Sequence, residues 1–132
     1  MSARVPTVPT ADPHGPGVQQ HALATVASAP TVHGDYAVHL GVTHLLPGAG
    51  TDELRHDVPE AVVVTAGALE MWVDGARCEI RAGDHLVIPA RAWHRFANLT
   101  ESGASMLFAF GGDPAPVTQR REPEPITAGE LR

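Results

Sequence analysis

From Tyr36 to Leu45 apolar positions alternate with polar or small ones, and Ala61 to Val64 is mostly β-branched. Leu69, Met71 and Val73 share one parity, and Met106, Phe108 and Phe110 share another. A period of two sends alternate side chains to opposite faces, so each run predicts a half-buried strand. No run of helical length carries a 3.6-residue apolar period. Turn signals separate the runs at Pro47-Gly48-Ala49-Gly50, Ala66-Gly67, Asp74-Gly75, Ala82-Gly83-Asp84 and Glu101-Ser102-Gly103. Asp74-Gly75, flanked by two alternating runs, is the strongest hairpin signal. Short strands without helical crossovers predict an all-β, antiparallel sandwich or barrel. The ends differ in character. Pro6, Pro9, Pro13 and Pro16, with Gly15 and Gly17, predict a flexible arm over residues 1–20. Pro114, Pro116, Pro123 and Pro125 predict a tail over residues 113–132, with at most a helical turn near Thr127 to Leu131, which leaves residues 21–112 for the barrel.

Composition narrows the function classes. A chain of 132 residues, 43% hydrophobic, has room for one domain with a real core. It carries nine arginines, no lysine and fifteen acids, a formal charge of -6. Without lysine there is no Schiff-base chemistry and no phosphate-loop lysine, and the net acidity disfavours nucleic acid as a partner. Cys78 stands alone, so no internal disulfide forms, which fits a reducing compartment. The first residues lack the apolar core of a signal peptide, and the apolar stretch from Ala61 to Val73 is broken by Thr65, Gly67 and Glu70. A cytoplasmic protein without a membrane segment is expected.

The candidate chemistry lies in His56, Glu60 and His94. Imidazole nitrogen and carboxylate oxygen are natural ligands of a catalytic divalent metal when they converge. His56 ends one strand, Asp57-Val58-Pro59 turns the chain and Glu60 opens the next, so both can face one interior, and His94 joins them from a third strand. The alternative for Glu60 is a carboxylate that only hydrogen-bonds a histidine in a polar pocket. His44 continues the row Val38, Leu40, Val42 and is a further candidate to line the cavity. Asp52 shares the parity of His56, whereas His85 follows a turn and is expected to be exposed.

The spacing around these residues resembles the two motifs of the cupin superfamily. The first reads Gly48, five residues, Leu54-Arg55-His56, three residues, Glu60, six residues, Gly67. The second reads Gly83, five residues, Pro89-Ala90-Arg91, two residues, His94, three residues, Asn98. The resemblance runs from about Val42 to Phe110 and implies a small antiparallel jelly-roll barrel with a ligand cavity at one mouth. It also implies that Leu54 stands where a first metal-binding histidine would be, and that Arg91 replaces a turn glycine. Two histidines and one carboxylate remain, a set that binds iron(II) with open positions.

Three functions follow as expectations. The first is a small-molecule enzyme with a divalent metal, iron, zinc, nickel or manganese, held by His56, Glu60 and His94, which performs dioxygen or Lewis-acid chemistry. The second is a metal-free enzyme in which His56 or His94 is the general acid or base, oriented by Glu60. The third is a ligand-binding module without turnover. Leu54, His44, Val62, Met71 and Phe96 are expected to line the substrate pocket, with Trp93 and Arg95 facing outward. Arg55, Arg77, Arg81, Arg91 and Arg95 mostly have outward parity, which disfavours a strongly anionic substrate. Ala61, Val63, Trp72 and Trp93, taken as one exposed apolar patch, suggest a homodimer.

Overall fold

The computed structural model describes residues 8–9, 17–31, 34–111 and 117–123, with the side chains of 8–9 and 19–38 excepted. Eleven strands and no helix occur among the described residues. They are β1 (Val8–Pro9), β2 (Val18–Thr31), β3 (Gly34–Leu45), β4 (Glu53–His56), β5 (Glu60–Ala66) and β6 (Ala68–Val73). There follow β7 (Ala76–Arg81), β8 (His85–Ile88), β9 (His94–Ala97), β10 (Ala104–Gly111) and β11 (Thr118–Arg121). All pairings are antiparallel, in one sheet of order β1-β2-β3-β10-β5-β8 and another of order β11-β4-β9-β6-β7. No helix there is long and apolar enough to cross a membrane.

The predicted alternation explains the core. Val62 and Val64 of β5, Met106 and Phe108 of β10, Leu69 and Met71 of β6, Ile88 of β8 and Phe96 of β9 are buried in one cluster. Each such side chain contributes roughly 1.5–3 kcal/mol relative to exposure. The hairpin at Asp74-Gly75 forms between β6 and β7, and φ values of 47° and 82° define the type I′ geometry that suits strand twist.

The strand pattern was misread in β3. Thr43 and Leu45 are buried while Val42 is half-buried and His44 exposed. Gly41 sets this parity: a Cβ there would collide with the ring of Phe108, which packs over the bare backbone. His44 therefore faces outward, with its Nδ1 2.6 Å from Ser105 Oγ.

The ends of the barrel lie partly outside the expected limits. β2 begins at Val18, which is buried, within the segment expected as an arm. Thr118–Arg121 of the expected tail pairs with β4 and extends the five-stranded sheet. The suggested helical turn at residues 127–131 lies outside the described residues.

The apolar patch taken from sequence divides between the sheets. Ala61 and Val63 lie on the six-stranded sheet, paired across from Ala109 and Leu107. Trp72 and Trp93 belong to the other, where guanidinium groups cover them. Arg95 and Arg77 stand 4.1 and 5.5 Å from the Trp72 ring, and Arg121 and Arg55 stand 4.0 and 4.7 Å from Trp93. These cation–π stacks leave Trp72 only 9% exposed.

Candidate metal centre

β4 ends in His56, β5 begins with Glu60 and β9 begins with His94, so three strand termini meet at one end of the barrel. All three side chains are buried, and their donor atoms lie within 4.8 Å of one another. Glu60 Oε2 stands 3.1 Å from His94 Nε2 and 3.8 Å from His56 Nε2. The imidazole rings are 5.2 Å apart between centroids.

The outer nitrogens fix how the rings point. His94 Nδ1 is 3.0 Å from the Ala92 carbonyl, which only accepts, so Nδ1 carries a proton and donates it. In the neutral ring Nε2 then turns a lone pair inward. His56 Nδ1 lies 2.8 Å from Thr118 Oγ1, which accepts when Nδ1 is protonated and leaves Nε2 to the interior. Burial opposes a charge on His94, but the Glu60 carboxylate and the Ala92 carbonyl outweigh it and hold its pKa above the usual imidazole value.

Glu60 Oε2 makes no hydrogen bond of good geometry among the described residues, and the nearest imidazole nitrogen, His94 Nε2 at 3.1 Å, forms an ion pair with it when protonated. An inward lone pair on imidazole and a carboxylate oxygen repel each other unless a proton or a cation lies between them. Ligands about 2.0–2.2 Å from a shared ion stand about 3–3.5 Å apart, a range that contains the 3.1 Å separation of Glu60 and His94 and lies just below the 3.8 Å of Glu60 and His56. The donor set thus fits a divalent cation, with His56, Glu60 and His94 as its protein ligands.

The surroundings are mostly apolar. Thr43, Thr51, Leu54, Phe96, Met106 and Phe108 join Glu60 and His94 around a cavity of about 20 Å³, room for one water or ion. Thr51 Oγ1 accepts a hydrogen bond from Phe96 N at 3.0 Å and so anchors the wall. Phe110 packs on His56, with ring centroids 5.2 Å apart.

Of the expected pocket residues, Leu54 and Phe96 reach this cavity, whereas Val62 and Met71 lie in the core and are not among its walls. His44 corrects the sequence reading, being exposed on the outer face of β3. Asp52 pairs with Arg120 at 3.6 Å, and His85 is exposed as its turn position suggested. Thr118 and the Ala92 carbonyl escaped the sequence reading. The pairing of β11 with β4 is long-range, so Thr118 left no local signal, while Ala92 acts through a backbone atom that no residue type announces.

Two antiparallel sheets with a polar cluster at one mouth define a small β-barrel. The cupin domain family matches residues 41–110, more than half of the sequence, and the chain belongs to that family. It is 36% identical over 83 residues to protein SchB of Streptomyces halstedii, covering 62% of this chain and 60% of that one. It is 34% identical over 87 residues to polyketide synthase CurC of Streptomyces cyaneus, covering 65% of this chain and 56% of that one. The chain thus spans less than two thirds of either relative. The polyketide cyclase RemF of Streptomyces resistomycificus has a similar fold, with a TM-score of 0.65 at 15% identity over 98% of this chain and 88% of that one.

Proposed function

We propose that the protein is a metal-dependent small-molecule enzyme that closes rings in a polyketide-like substrate. The observation that carries this reading is the buried Glu60 Oε2, which makes no hydrogen bond of good geometry among the described residues and faces two imidazoles in a mostly apolar cavity. The names of the relative CurC and of the structural neighbour RemF suggest the substrate class. The reaction class is an aldol-type closure: a carbon between two carbonyls loses a proton and bonds to a further carbonyl carbon, whose oxygen later leaves as water.

A divalent cation on His56, Glu60 and His94 supplies Lewis acidity that stabilises negative charge on a carbonyl oxygen. The chain supplies the rest. Leu54, Phe96, Met106 and Phe108 exclude water from the carbon that bears the charge, and the Ala92 and Thr118 contacts hold the imidazoles in place. The cavity holds no more than one ion or water, so the substrate lies across the mouth and presents only a carbonyl oxygen to the site.

A second reading is favoured by the 3.1 Å approach of Glu60 to His94. There His94 Nε2 is itself the general base and Glu60 orients the ring and stabilises its charge, without a metal. Incubating the protein, loaded in turn with iron, zinc, nickel and manganese, with a linear poly-β-ketone tests both. Cyclised, dehydrated product seen by mass spectrometry, and reduced at least a hundredfold in His94→Ala, is expected. Metal dependence selects the first reading, turnover in chelator selects the second, and no product under any condition contradicts both.

A further inference from the structure

Behind His56, outside the apolar cavity, a second and larger cleft of about 260 Å³ is lined by Arg55, His56, Asp57, Arg91, Val117 and Gln119. Two guanidinium groups against one carboxylate make it locally positive in a chain of formal charge -6. The carboxylate is engaged, since Asp57 Oδ1 accepts a hydrogen bond from Val117 N at 2.9 Å. Arg55 is held in place by Gln119, which accepts from its Nε, and by the Trp93 ring 4.7 Å from its guanidinium carbon. No carboxylate pairs with it among the described residues.

Arg91 is the more telling of the two. Its side chain is exposed and makes no hydrogen bond, ion pair or ring contact among the described residues. Its backbone is held in the left-handed region at φ 66°, where L side chains are strained, by an N–H that donates to the His56 carbonyl at 2.6 Å. A residue with a side chain occupies a position suited to glycine, and that side chain has no structural task. Strain without a structural return marks positions retained for binding.

We propose that this cleft is a subsite for an oxyanion, a carboxylate or a phosphate group, gripped by Arg55 and Arg91. The planar fork of a guanidinium matches either group, and two of them line this cleft. The inference rests on the cleft alone and stands apart from the ring-closure reading. It places the anionic group outside the apolar cavity, where the outward parity of the arginines puts their charge.

The test is a titration of the full-length protein with inorganic phosphate in one arm and malonate in the other, followed by arginine Nε–Hε NMR signals and tryptophan fluorescence. Saturable binding is expected in at least one arm, and the tighter arm identifies the source of the oxyanion. Arg91→Gly should weaken it at least tenfold while keeping or raising Tm, because glycine relieves the strain. Arg55→Gln should weaken it similarly. Arg81→Gln, whose guanidinium pairs with Glu79 outside the cleft, should leave it unchanged, as should Glu60→Gln, which removes a metal ligand. No saturable response in either arm, binding undiminished in Arg91→Gly and Arg55→Gln, equal loss in Arg81→Gln, or loss in Glu60→Gln would each overturn the proposal.

Discussion

Thr118 shows how a single hydroxyl serves the candidate centre from a distance along the chain. It touches no donor atom of the cluster's interior but sets the orientation of His56 through Nδ1. Partners of this kind typically alter metal affinity by about 10–100-fold when removed. Thr118→Val keeps the shape and deletes the acceptor, so it should weaken zinc binding about tenfold, measured by competition with a chromogenic chelator, while the circular dichroism spectrum is unchanged. Leu54 has the opposite meaning. It lines the cavity with Glu60 and His94 and contributes no donor atom, which leaves His56, Glu60 and His94 as the three candidate donors.

Within the elements, Gly41 and Asn98 position the site without touching it. The ring of Phe108 lies where a Cβ of Gly41 would stand, and Phe108 in turn lines the cavity beside His94. Gly41→Ala should therefore overpack the core and cost about 1–3 kcal/mol, read from urea unfolding. Asn98 is fully buried and satisfied: its Nδ2 donates to the Leu45 and Ser102 carbonyls, and its Oδ1 accepts from Thr100 N and Oγ1. It ties the end of β3 to the loop that leads into β10. The spacing of the sequence already pointed to His56, Glu60 and His94, because each lies at a strand terminus flanked by turn residues. The face of β3 was not legible from its own alternation. Apolar Val42 and polar Thr43 each took the other's expected side, since the large ring opposite Gly41 decided which face could close. An isolated glycine inside a strand is the one local sign of such an approach.

Over the described residues as a whole, the three candidate donors meet at one end of a largely apolar barrel interior. Six of the nine arginines belong to the five-stranded sheet and cover Trp72 and Trp93 or pair with acids, so that charge lies over much of that sheet's outer face. No single stretch of sequence shows this, because Arg55, Arg121 and Trp93 meet only after three strands and a turn have assembled. The interior tells a simpler story: three donors converge from β4, β5 and β9, and one buried carboxylate oxygen makes no hydrogen bond of good geometry among the described residues. The most direct test is elemental analysis of the protein after chelation and reloading with iron, zinc, nickel or manganese, beside Glu60→Gln and His94→Gln. Near-stoichiometric metal in the natural sequence, lost in both variants while they remain folded, is the predicted result. Metal absent from the natural sequence, or equally bound by the variants, would contradict the account.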